Sequence, residues 1–198
     1  KRQSSANCYL APAAKRRNLT IVTGAVAEQL LFNGLCCTGV KYRAAGVSQE
    51  VHATREVLIS AGTINSPQLL ELSGIGQPDL LNGKGIKVRS ALPGVGENLR
   101  DHYSPRLKWR IRQRGVTYND RMRGLGLLNQ AIKYLLKDSG FFTLPACPFR
   151  IFVRTREGLN SPDATIGFIP FAIDSTFKLS RSPGLTGTAY QLRPKSKG

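Results

Sequence analysis

The residues best suited to ligand chemistry are three small ones, Ser60, Ala61 and Gly62, which follow the apolar run Val57-Leu58-Ile59. An apolar run of this length predicts a short buried strand. Small residues at its end would let a ligand approach the backbone closely. The sequence therefore predicts a point of close contact between backbone and ligand at residues 60–62.

A helix is predicted directly after these small residues. Pro67 suits a first helical position, where its missing N–H would have no partner anyway, and Ser66 or Asn65 can cap the helix. Ser73-Gly74 predicts its end. A strand that delivers small residues to a helix N-terminus is where α/β folds bind anionic or hydrogen-bond-accepting cofactors. An ordinary strand–helix connection has the same pattern, so these residues alone leave both interpretations open.

Two stretches carry a resemblance to a known family: residues 62–76, GTINSPQLLELSGIG, and residues 92–102, LPGVGENLRDH. The first resembles the second signature of the glucose-methanol-choline (GMC) flavoprotein oxidoreductases at every constrained position. Residues 152–156 and 191–198 are similar to choline-dehydrogenase-like members of that family. The resemblance thus extends over nearly the whole chain.

The resemblance implies a fold of mixed α/β and α+β class. Residues 1–102 are expected to form part of a Rossmann-like FAD/NAD(P)-binding domain, and residues 103–198 part of a substrate domain built on an antiparallel sheet. The implied reaction is hydride transfer from an alcohol, choline or another primary alcohol, to FAD. Oxygen and a quinone both remain open as the electron acceptor. The implied location is cytoplasmic or peripheral to a membrane.

The resemblance also implies which residues contact FAD. The family's backbone contact to the adenine falls on Ala27, where the usual residue is Val. Ser60, Ala61 and Gly62 match the segment that passes close to the cofactor. No metal site is expected, because the four cysteines form no C-x-x-C pair and only two histidines are present.

No catalytic residue is expected within the chain. It contains no G-x-G-x-x-G, so the pyrophosphate-binding turn is expected upstream of Lys1, and the family's catalytic His pair beyond Gly198. His102 matches the family's N-L-x-D-H position and is expected to have a structural hydrogen-bonding role, while His52 is expected to be structural or exposed. We therefore expect the chain alone to be inactive. A catalytically inert, truncated relic of the family remains an alternative.

The formal net charge of +17 raises a different class of function, a nucleic-acid-binding module. The basic residues do not form a dedicated binding arm, however. In residues 106–112 they alternate with Leu107, Trp109 and Ile111, which predicts a half-buried strand with a solvated outer face. Nucleic acid is therefore not an expected partner.

The remaining elements follow from periodicity and turn signals. Strands are predicted at 19–22 and 26–32, then a hairpin of 39–43 and 48–53 around Ala45-Gly46. Leu125, Leu128, Ile132 and Leu135 predict an amphipathic helix whose apolar stripe lies in the core and which ends at 138–140. Strands are predicted at 149–154, 164–171 and 188–192, the last after a loop at 180–187. No apolar run is long enough to cross a bilayer.

Overall fold

The computed structural model describes residues 3–137 and 139–198. The chain forms two compact units: Ser5–Arg100 with Ser196–Gly198, and Asp101–Lys195 with residues 3 and 4. Helices and strands occur in both, which confirms the predicted mixed class. The assignment of a cofactor domain to residues 1–102 and a substrate domain to residues 103–198 stays a prediction.

The unit containing Ser5–Arg100 is built around an antiparallel meander. It begins with helical turns at Ala6–Leu10 and α1 (Ala11–Ala13). The meander is β1 (Ala25–Asn33), β2 (Cys36–Ala44) and β3 (Val47–His52), in the order β1-β2-β3. Ala45 and Gly46 both have positive φ, as a two-residue hairpin turn requires. The predicted second hairpin is confirmed.

Helices and a short parallel pair complete this unit. They are α2 (Gly62–Leu72), β4 (Ile75–Gly76), α3 (Pro78–Gly83) and β5 (Ser90–Ala91), with β4 parallel to β5. No helix in the described ranges is long and apolar enough to span a bilayer.

Two predicted strands are absent from this unit. Residues 19–22 and 57–59 are not strands, and Leu58 is 80% exposed. A parallel strand obtains its hydrogen bonds from neighbouring strands on either side. Within residues 3–137 and 139–198 no strand pairs with residues 57–59, so the apolar run stays outside any sheet.

Helix α2 begins at Gly62, five residues earlier than predicted, and contains Pro67 in its interior. Gly62 turns the chain into the helix with a φ of +91°. The Ser66 hydroxyl accepts a hydrogen bond from the Ala61 N–H at 3.1 Å, so Ser66 stabilises the helix start from inside the helix. The predicted end at Ser73-Gly74 is confirmed, with Gly74 at a φ of +84°.

The core of this unit joins α2 to the meander. Leu30 of β1, Leu69 of α2 and Leu81 of α3 are buried. The buried Ser73 hydroxyl accepts a hydrogen bond from the Leu30 N–H at 2.9 Å and donates one to the Leu69 carbonyl at 2.6 Å. Ser73 therefore fixes the end of α2 against the open edge of β1.

The unit containing Asp101–Lys195 is an antiparallel sheet with helices. Its strands are β6 (Arg106–Arg110), β7 (Phe149–Val153), β8 (Ala164–Ile169) and β9 (Gly184–Gln191), in the order β6-β9-β8-β7. Its helices are α4 (Tyr118–Arg121) and α5 (Gly124–Lys137), followed by a 3₁₀ turn at Phe141–Thr143. The predicted antiparallel sheet and the amphipathic helix are confirmed.

Three predictions for this unit need correction. The apolar stripe of α5 is exposed rather than in the core, and β6 is exposed on both faces rather than half-buried. Strand β9 begins at Gly184, inside the predicted loop, because Gly184 and Gly187 pack closely: a Cβ on Gly187 would lie 2.7 Å from the Trp109 ring. Of the residues predicted to end α5, Asp138 lies outside the described residues, and Gly140 has a φ of +91°.

Candidate functional site

The two stretches singled out in the sequence lie together along one cleft of about 590 Å³ in the unit containing Ser5–Arg100. One wall is the outer face of α2, and the other is the loop that follows β5. The wall from α2 includes Thr63, Ile64, Pro67 and Glu71, and the loop wall includes Gly94, Gly96, Asn98 and Arg100. A signature helix and a glycine-rich loop about 25 residues away therefore form a single concave surface.

Glu71 places a carboxylate inside this cleft. A Cβ on Gly96 would lie 2.7 Å from the Glu71 Oε1 atom, and Gly96 has a φ of +82°. Glycine is thus required at position 96 both by its backbone angle and by the closeness of the carboxylate. The sequence analysis did not identify Glu71, although an acidic residue within an apolar helical segment was a visible signal.

Backbone hydrogen bonds hold the loop wall. The Val95 N–H donates to the Leu92 carbonyl at 3.1 Å. Leu99 and Gly198 exchange two N–H···O bonds, each of 2.9 Å. Asn98 has a positive φ of 61°, which asparagine tolerates better than most residues. These bonds fix the turn that carries Gly96 and Asn98 opposite α2.

The predicted cofactor residues Ser60, Ala61 and Gly62 stand at the mouth of α2, before the first cleft residue, Thr63. All three are exposed. The Ala61 N–H is engaged by Ser66, so it is not available to a ligand. A Cβ built on Gly62 meets no atom within 4 Å, so the space over this backbone is open. The first N–H groups of an α-helix lack intrahelical acceptors, and here they adjoin that open space.

Ala27, the predicted adenine contact, lies on the edge strand β1 opposite Tyr42. The register slips between Ala27 and Gln29, so Glu28 occupies a bulge. The Glu28 carboxylate accepts hydrogen bonds from Ser48 Oγ at 2.8 Å and from Arg43 Nε at 2.6 Å. These bonds, that from Ser48 first, lower the pKa of Glu28. One side chain therefore ties all three strands together beside Ala27.

Neither histidine sits in a recognisable proton-transfer arrangement. The His102 ring meets Tyr190 edge-on with centroids 4.8 Å apart, and the His102 N–H donates to Asp101 Oδ1 at 2.7 Å. His52 is exposed, with Nε2 3.9 Å from a Glu50 carboxylate oxygen. The structural role predicted for His102 stays a prediction.

Many of the arginines act as loop fasteners. Arg89 donates to the Gly34 carbonyl at 2.9 Å and lies over the Phe32 ring at 4.6 Å. In the other unit Arg123 donates to the Leu179 and Ser180 carbonyls at 2.7 and 2.9 Å. The basic side chains thus bind carbonyl groups at separate points of each unit.

Comparison with known proteins agrees with this geometry. A family profile described as GMC oxidoreductase matches residues 1–104. The chain is 35% identical over 205 residues to the oxygen-dependent choline dehydrogenase of Photobacterium profundum, and 39% identical over 204 residues to that of Yersinia pseudotuberculosis. Each alignment covers 100% of this chain and 35% of the relative. Among solved structures, a formate oxidase of Aspergillus oryzae RIB40 studied for FAD modification superposes with a TM-score of 0.83 at 24% identity. That match covers 93% of this chain and 37% of the formate oxidase.

The chain belongs to the GMC oxidoreductase family, because the family profile matches more than half of its residues. It spans about a third of the length of the curated relatives that it matches. The structural match at 24% identity establishes the fold.

Proposed function

We propose, from this family membership, that the chain forms part of an FAD-dependent alcohol oxidoreductase that removes hydride from choline or another primary alcohol. The observation that carries this proposal is the alignment of the entire chain with choline dehydrogenases at 35% and 39% identity. Within the chain we assign the cofactor contacts to residues 1–102 and the substrate-domain role to residues 103–198.

The residues at the start of α2 fit a nucleotide cofactor. Gly62 leaves open space where a side chain would otherwise stand, and the exposed Ser60 hydroxyl has no hydrogen-bond partner among the described residues. A helix N-terminus attracts phosphate through its free N–H groups and its dipole. FAD, when bound, supplies the hydride acceptor that no side chain can provide.

Each proposed contact has a definite task. The backbone of Ala27 would bind the adenine, and the Glu28 bulge, held by Arg43 and Ser48, would fix the angle of that backbone. Ser60 and Gly62 would hold the nucleotide against the first turn of α2. Ala61 would act by its small size alone, since its N–H is engaged by Ser66.

The test replaces the aligned 205-residue segment of the Photobacterium profundum choline dehydrogenase with this chain. We expect this chimera to retain FAD, seen by its visible absorbance, and to oxidise choline with an artificial electron acceptor. The isolated chain should show no turnover. A folded chimera that binds FAD but oxidises neither choline nor any primary alcohol would favour the inert relic. A folded chimera without FAD would contradict the cofactor assignment.

The electron acceptor can be decided in the same preparation. Oxygen consumption without added acceptor would assign the oxidase type, whereas turnover only with a quinone would assign the dehydrogenase type. Choline should be compared with aliphatic and aryl alcohols, since the substrate follows here from relatives and not from a described contact.

A further inference from the structure

The unit containing Asp101–Lys195 has an inverted pattern of burial. Apart from glycines, its buried residues among those described are Ala172 and five polar ones: Thr117, Asn119, Gln130, Thr165 and Thr186. Folded domains normally bury aliphatic and aromatic side chains and expose polar ones. Here the polar groups are enclosed and satisfied by hydrogen bonds, and the large apolar groups face outward.

Helix α5 shows this inversion most clearly. Its residues 125, 128, 132 and 135 recur at spacings of three, four and three, the pattern of a helix that packs along another helix. Leu125 is 85% exposed and Leu135 is 78% exposed. On the opposite side, the buried Gln130 accepts a hydrogen bond from the Phe141 N–H at 3.1 Å. The helix is thus attached through its polar side, and its packing stripe is open.

A groove adjoins this stripe. It has a volume of about 430 Å³ and is lined by Ala131, Tyr134, Leu135 and Phe142. The Tyr134 and Phe142 rings meet edge-on at 6.0 Å. All the lining side chains are apolar or aromatic, so the groove fits the side chains of a second apolar helix.

One face of the sheet is open in the same way. The strand registers align Leu107, Gly187, Phe168 and Phe149 across β6, β9, β8 and β7. At the two edges of this row, Leu107 is 62% exposed and Phe149 is 71% exposed. The opposite face of the sheet carries the buried Thr165 and Thr186.

The accessible surface shows how much covering is required. The chain exposes 15,207 Å². A folded monomer of this mass exposes about 9,200 Å², and two independent units of half the mass expose about 11,100 Å² together. The excess over the larger figure is about 4,100 Å². Contiguous apolar surface on this scale marks an interaction site.

We propose that the stripe of α5, its groove and the apolar sheet face form a docking surface for polypeptide of the kind that makes up the other two thirds of GMC oxidoreductases. The relatives have such polypeptide, since the chain aligns with only 35% of their length. Because α5 contains two lysines and no acidic residue, the element seated on it should carry acidic residues beside an apolar stripe. This proposal rests on family membership and does not require that the chain bind FAD or choline.

A second copy of the chain is a poorer occupant. A standard interface buries about 800 Å² per partner, well below the excess exposed here. Each copy also carries a formal net charge of +17, so two copies repel one another. Two thirds of a family-length enzyme supplies enough surface without that repulsion.

The same substitutions should have opposite effects in two settings. In the isolated chain, Leu128→Lys with Leu135→Lys should reduce self-association and the fluorescence of an added hydrophobic dye, since both side chains are exposed there. In the chimera with the Photobacterium profundum enzyme the same pair should lower the Tm by about 5 °C or more, because it places charge in a covered interface. Lys133→Gln, on the same helix but outside the stripe, should change neither.

Milder substitution protects the test against simple misfolding. Leu135→Ala alone should leave the Tm of the isolated chain unchanged and lower that of the chimera. An unchanged chimera Tm with both the lysine pair and the alanine variant would overturn the proposal, because the face would then be open in the assembled enzyme. A wild-type chimera that fails to fold would overturn it as well. A discrete dye-free dimer of the isolated chain, made monomeric by the lysine pair, would instead assign the surface to a second copy. A folded chimera without FAD or activity would contradict only the proposed function.

Discussion

Replacing Gly62 by alanine separates a cofactor contact from a purely conformational role. Gly62 has a φ of +91°, and a Cβ at this position meets no atom within 4 Å. Alanine therefore adds no clash within the chain, and its cost is the strain of a left-handed backbone, about 1–2 kcal/mol. If FAD lies over this backbone, the added methyl group also occupies part of its place.

The two effects differ in what they change. Backbone strain raises the free energy of the folded protein with and without FAD, so it lowers the Tm but not the affinity. A methyl group in the path of the ligand lowers the affinity itself. We expect FAD binding to weaken at least about tenfold, equivalent to about 1.4 kcal/mol.

Gly85→Ala is the matched control. Gly85 also has a positive φ, +68°, and open space over its Cα, but it follows α3, outside the segments proposed to contact FAD. Both alanine variants should lower the Tm of the chimera by similar amounts, and only the Gly62 variant should lose FAD. Gly83→Ala is a second control: the sequence suggested a helix stop there, but Gly83 is the last residue of α3, so alanine should be neutral or slightly stabilising.

The assay measures the Tm, the circular dichroism spectrum and the FAD dissociation constant of each chimera. Gly62→Val extends the series with a larger side chain. If the Gly62 variants are folded and bind FAD as tightly as the Gly85 variant, this segment does not contact the cofactor. The assignment of Ser60, Ala61 and Gly62 would then be wrong.

Three further substitutions test the fold that carries these segments. Ser73→Ala removes the acceptor of the buried Leu30 N–H and should cost about 1–3 kcal/mol, seen as a lower Tm of the chimera, with Ser73→Thr as the variant that keeps the hydroxyl. Asn119→Ala removes three hydrogen bonds, two of them to the Ala172 backbone, and should cost about 2–4 kcal/mol; a Tm equal to wild type would show that water replaces the amide. The pKa of Glu28 is lowered in the folded protein, so its stabilising contribution is present above its ordinary value of 4.5 and is lost as the pH falls through the lowered one. Glu28→Gln should therefore destabilise the chimera at neutral pH and flatten the acid limb of its Tm–pH profile.

Local rules predicted the elements whose cause is local. The hairpin turn at Ala45-Gly46 was predictable because its residues suit a positive φ at two successive positions. The spacing of leucines likewise predicted α5. In contrast, the start of β9 at Gly184 depends on packing against Ala172 and Trp109, which are distant in the chain. A glycine pair that signals a loop locally was here required by close contact within a sheet.

The candidate site was predictable only in part for the same reason. Both stretches that line the cleft were recognised from their residues, yet the approach of the Glu71 carboxylate to Gly96 joins positions 25 apart and has no local signal. The start of α2 was misplaced because Pro67 was taken as a first helical residue, whereas the positive φ of Gly62 and the bond from Ala61 to Ser66 set the start. The misplaced strand at 57–59 lacks partners among the described residues.

The open faces of the sheet and α5 bear on how the cofactor predictions must be tested. A chain that exposes about 4,100 Å² more than two folded units should self-associate when isolated. Loss of FAD binding in the isolated chain would then report aggregation and not the chemistry of Gly62 or Ala27. The chimera removes this ambiguity, because it covers the apolar surface and leaves the start of α2 unchanged. If the docking surface is as proposed, substitutions on α5 lower the Tm there without first lowering FAD affinity, while Gly62→Ala lowers FAD affinity beyond the Gly85 control. Were both sets of variants to lose Tm and FAD together, the two units would be energetically coupled, and the separate assignments made here would have to be replaced by one.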